Sequence, residues 1–75
     1  MRLEELFAKV LGVPAASLTD ASGPSTIPGW DSMATMKLVA ALEELHDIML
    51  STDQVRNFSS LGAARAMLAE HGIDA

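Results

Sequence analysis

The sequence predicts an all-α fold, a bundle of four helices with a long first loop and a short third helix. Alanine and leucine dominate a composition that is 49% hydrophobic, whereas β-branched and aromatic strand formers are few and Phe7, Trp30 and Phe58 are the only aromatics. Apolar residues recur at helical spacing in separate stretches. Between the first two stretches, Val13 to Trp30 carries Pro14, Gly23, Pro24, Pro28 and Gly29, the punctuation of a connection.

The first helix is expected over Leu3 to Leu11, where Leu3, Leu6, Phe7, Val10 and Leu11 fall on one face and Gly12 with Pro14 marks the end. Glu4 and Glu5 suit its positive end; Arg2 does not. The polar face lacks the basic residues of a membrane-surface helix. In the long loop, Leu18 and Ile27 are expected to point inward, and Trp30 either covers the loop end or contacts a partner or cargo. The second helix is expected from Ser32 to His46, with Leu38, Leu42 and Leu45 on its apolar face, Met33, Met36 and Val39 flanking, and Lys37, Glu43 and Glu44 on the other face. A third helix of about Thr52 to Asn57 follows a capping-box pair, Ser51 and Gln54, with Val55 and Phe58 as anchors. Ser59 or Ser60 caps a fourth, carrying Leu61, Ala64, Met67 and Leu68 and ending near His71 and Gly72, after which residues 73–75 are expected to fray.

Seventy-five residues allow one domain, 1–75, with little room for an enclosed active site. Cysteine is absent, which removes disulfides, thiolate metal sites and a thiol nucleophile. His46 and His71 are too far apart for a helical zinc pair, and each is expected near a helix C-terminus as a complement to its dipole. Five basic against ten acidic residues give a formal net charge of −5, which disfavours nucleic acid and anionic membrane surfaces. The N-terminal residues lack a signal-peptide pattern and no apolar run reaches membrane-spanning length, so a soluble, cytoplasmic protein is expected; it is also expected to be a monomer. No serine has a recognisable base and acid in sequence, so no catalytic residue is assigned.

Ser32 follows the Pro28-Gly29 turn and stands at a helix start, where Asp31 or Ser32 can cap and where backbone N–H groups also suit a phosphate ester. Asp31-Ser32-Met33, followed by Leu38-Val39 and Ala41-Leu42-Glu43-Glu44, resembles the attachment motif of acyl and peptidyl carrier proteins. The resemblance covers most of the chain in length and order of elements. It implies that Ser32, next to Asp31, carries covalent 4'-phosphopantetheine installed by a phosphopantetheinyl transferase, and that cargo rides as a thioester on the terminal thiol. It also implies docking of loading and transfer enzymes, such as a ketosynthase, acyltransferase or adenylating enzyme, along the second helix.

Met33 and Met36 are candidate cargo or partner contacts beside Ser32, Glu43 and Glu44 match acids that dock basic patches in fatty-acid carriers, and Val55 is a weaker contact. Ala34 and Lys37 stand where those carriers commonly have an acid. That difference favours a free-standing carrier of polyketide or nonribosomal-peptide biosynthesis. The alternatives are a D-alanyl carrier for cell-wall polymers, a fatty-acid carrier and, outside the family, a helical interaction module in which Ser32 is only a cap.

Overall fold

The computed structural model describes residues 2–74. Four α-helices run in the expected order: α1 (Leu3–Leu11), α2 (Ser32–His46), α3 (Thr52–Arg56) and α4 (Leu61–Glu70). Among the described residues there is no strand, and no helix is long and apolar enough to cross a membrane.

Each boundary has a local cause. Gly12 ends α1 with φ of 70°, and both Gly12 and Val13 donate their N–H groups to the Ala8 carbonyl. Asp47 ends α2 in the left-handed region at φ of 52°, a conformation Asp tolerates better than most residues. Ser51 and Gln54 form the expected capping box at α3, and Asn57 is the residue just past its end. At α4 the cap is Ser60, whose Oγ accepts the Ala63 N–H at 3.0 Å.

Three expectations need correction. The long connection contains a 3-10 helix at Ala15–Ser17, closed by hydrogen bonds from the Ser17 N–H and hydroxyl to the Pro14 carbonyl. Leu45 is 46% exposed, because the buried ridge of α2 ends at Leu42. The chain reverses at Asp47 and turns Leu50 back into the core in its place. Ile73 is not frayed: its N–H donates to the Leu68 carbonyl and its side chain packs on the core. Ala75 lies outside the described residues.

The core joins α1, α2 and α4, with Phe7, Leu38, Leu42, Leu61 and Leu68 fully buried, each contributing about 1.5–3 kcal/mol. All three aromatics meet in it. Phe7 stands edge-on to Trp30 at 5.5 Å between ring centroids and stacks on Phe58 at 5.9 Å. Trp30 is thus a core residue covering the loop end, held from three segments of the chain.

The long loop contributes more than length. Leu18 and Ile27 are buried as expected, and the loop also completes the start of α4. There the carbonyls of Asp20 and Ser22 accept the N–H groups of Gly62 and Leu61, each at 2.9 Å. A helix start leaves such donors unpaired, and here loop and cap together take them up. The approach needs two residues without side chains: a Cβ on Gly23 would lie 2.5 Å from the Ser59 carbonyl oxygen, and one on Gly62 2.9 Å from that of Asp20. Arg65 fastens the same junction from outside, with Nη2 2.8 Å from Glu4 of α1 and Nε 3.3 Å from Asp20.

Candidate functional site

The site begins in the last turn of the long loop. Thr26 and Ile27 donate N–H groups to the Gly23 carbonyl, and Trp30 donates to Ile27. Gly29 adopts φ of 86°, a conformation side-chain-bearing residues avoid, and this turn sends Trp30 into the core and Asp31 to the surface. The Trp30 indole N–H then donates to the Thr35 hydroxyl at 2.8 Å, locking the turn onto α2.

Asp31 is the cap of α2. Its Oδ1 accepts the Ala34 N–H at 2.8 Å and its carbonyl accepts that of Thr35 at 3.0 Å. Ser32 is the first helical residue, and it is exposed. Its hydroxyl makes no hydrogen bond among the described residues, and neither its own N–H nor that of Met33 has an acceptor there. The capping question therefore resolves in favour of Asp31. Ser51 and Ser60 show the contrast, since both have their hydroxyl oxygens engaged by backbone N–H groups.

An exposed, unengaged hydroxyl at such a position can be esterified without disturbing the fold. A phosphate on it would face unpaired N–H groups at the positive end of a 15-residue helix. No hydrogen bond links Ser32 to a histidine or carboxylate among the described residues, and no group of three or more potential metal ligands occurs there. His46 occupies the last turn of α2, and His71 follows α4 with Nε2 3.3 Å from Gln54 Oε1.

The remaining candidates divide. Met33, Met36, Lys37 and Glu44 are exposed on α2, the methionines at 68% and 57%. Ala34, which stands where fatty-acid carriers commonly have an acid, is buried, because it follows the cap by three residues and turns toward the core. Glu43 has an internal role: its Oε2 accepts the Leu50 N–H at 2.9 Å and braces the connection to α3. Val55 is half-buried against the core. The Trp30–Thr35 bond and the bracing by Glu43 had no signal in the sequence beyond the polarity of their members.

Comparison with known proteins agrees with this geometry. Residues 2–68 match the family model described as the phosphopantetheine attachment site. The solution NMR structure of a holo acyl carrier protein from Nitrosomonas europaea is similar, with a TM-score of 0.75 and 28% sequence identity over 92% of this chain and 89% of that one. The family match takes in all of α1, α2 and α3 and most of α4, including the loop that delivers Ser32. The chain therefore belongs to the phosphopantetheine-attachment family, as a carrier domain for covalent 4'-phosphopantetheine that is not itself catalytic.

Proposed function

We propose that the Ser32 hydroxyl receives the 4'-phosphopantetheine arm, and that residues 1–75 form one carrier domain for acyl or aminoacyl intermediates in polyketide or nonribosomal-peptide biosynthesis. The observation that carries this is the division of labour at the start of α2. Asp31 caps the helix, and Ser32 keeps an exposed hydroxyl and unpaired N–H groups beside it.

In loading, the Ser32 oxygen bonds to the phosphorus that bears pantetheine in coenzyme A. The bond from that phosphorus to the adenosine bisphosphate breaks, and the hydroxyl proton passes to a base of the phosphopantetheinyl transferase. The resulting phosphodiester rests where the helix dipole favours negative charge. The terminal thiol then holds cargo as a thioester, and the arm raises the effective concentration of that cargo at each docked enzyme. Ketosynthases, acyltransferases or adenylating enzymes of a cytoplasmic pathway are the fitting partners. The low acidity of the exposed α2 face near Ser32 supports a dedicated pathway over general fatty-acid synthesis.

Intact mass after incubation with coenzyme A, magnesium and a broad-specificity transferase tests the assignment. The parent protein gains one phosphopantetheine and Ser32→Ala gains none. A folded parent that stays unmodified with several transferases overturns it. Offering the loaded protein D-alanine with its adenylating enzyme separates the cell-wall alternative, which requires efficient transfer of that amino acid.

A further inference from the structure

Resting on the assignment of Ser32, we propose that the enzymes which load and read this carrier meet α2 through an apolar hollow bordered by a carboxylate, not through a cluster of lysines and arginines. On α2 itself the surface beside Ser32 is formed by Met33, Met36, Lys37 and Ala40, all exposed and set at i, i+3, i+4 and i+7 on one face, while the neighbouring Asp31 is exposed but has its Oδ1 engaged by the Ala34 N–H as the helix cap. Two neighbouring methionines at 68% and 57% exposure form an apolar patch that adapts to a concave surface, and methionine is enriched in interface cores. Ala40 lets a partner backbone come close.

The charges on this face point the same way. The first turn of α2 contains no acidic residue. Of the two glutamates further along, Glu43 is engaged with the Leu50 N–H, and Glu44 lies three turns beyond Ser32. Lys37 has no ion pair among the described residues and stands between the methionines and Ala40. A basic enzyme surface would bring like charge onto Lys37 and desolvate it unpaired, whereas a carboxylate at the rim of an apolar hollow complements it. The net charge of −5 acts at longer range and is screened by salt, so the local face governs the docked state.

The test compares two phosphopantetheinyl transferases with coenzyme A and magnesium, one whose docking surface is lined by lysine and arginine, the other by apolar side chains and carboxylates. The second is expected to give a kcat/KM about tenfold higher, changing less than about twofold between low and high salt. With it, Met33→Gln combined with Met36→Gln raises KM about tenfold at unchanged kcat, and Lys37→Glu lowers kcat/KM with the second enzyme while raising it with the first. Circular dichroism confirms that these surface variants stay folded. A preference of the parent for the basic transferase, or a KM indifferent to the methionines, overturns the docking inference. Loading of Ser32→Ala would instead overturn the attachment assignment, so the two failures are separable.

Discussion

The indole N–H of Trp30 donates to the Thr35 hydroxyl at 2.8 Å, joining the last residue of the loop turn to the first full turn of α2. Trp30 is 3% exposed, so this bond satisfies a polar group with no access to water. Thr35→Val keeps the shape and leaves that N–H unpaired. It is expected to cost about 1–2 kcal/mol, a fall in Tm of about 5–10 °C for a domain of this size. Thr35→Ser retains the hydroxyl and should stay within about 0.5 kcal/mol of the parent. Thermal melts followed by tryptophan fluorescence measure both, and equal stability of the valine variant would remove the bond from the explanation of how α2 is placed.

Acid should weaken the clamp between α1 and α4. The Glu4 carboxyl is held below its ordinary value of 4.5, first by a hydrogen bond to its own backbone and then by its bond to Arg65, whose guanidinium is in turn driven further toward the charged form. A carboxyl with a lowered folded-state pKa adds stability that is complete above 4.5 and is lost as pH falls through the folded-state value. The contribution is about 0.5–1 kcal/mol for a partly exposed pair. Denaturant midpoints should fall from pH 5 toward pH 3, and Glu4→Gln should flatten that decline while lowering stability at pH 7.

Two serines at helix starts should respond in opposite ways. Ser60→Ala removes the α4 cap and is expected to cost about 1 kcal/mol with no loss of phosphopantetheine loading. Ser32→Ala should change stability by less than about 0.5 kcal/mol, because its hydroxyl makes no hydrogen bond among the described residues, while abolishing loading. Paired melts and mass spectra report both quantities, and a strongly destabilised Ser32→Ala would mean that Ser32 supports the helix after all.

Gly23→Ala is expected to be more harmful than its size suggests. The added methyl would overlap the Ser59 carbonyl, which belongs to backbone and cannot swing aside. A loss of about 2–3 kcal/mol follows from the forced shift of loop or helix. Urea unfolding measures it, and a shift under 0.5 kcal/mol would show that the junction yields readily.

The four helices were legible because their signals are local. The i, i+3, i+4 stripes, the Ser51 and Gln54 pair and the terminal glycine of α1 all lie within a few residues of what they specify. Ala15–Ser17 escaped because three small residues carry no periodicity. Leu45 fitted the stripe of α2, and only the reversal at Asp47 shows that the core ends a turn earlier. Ser32 was legible as a motif, but whether it or Asp31 caps the helix depends on which oxygen reaches the Ala34 N–H, a matter of geometry. Arg65 meeting Glu4 and Asp20, 61 and 45 residues away, had no local trace at all.

The loop that closes the start of α4 also shapes how the domain comes apart. In a bundle held only by packed helices, one helix can peel away and leave the others in place. Here α4 cannot detach without also releasing the carbonyls of Asp20 and Ser22, and the loop they belong to runs on to Trp30 and the threshold of α2. Opening at the start of α4 is thereby passed on to the loop that positions α2. Amide exchange at Leu61 and Gly62 should proceed only with global unfolding, at the same free energy as the core of α2, which makes the domain a single cooperative unit.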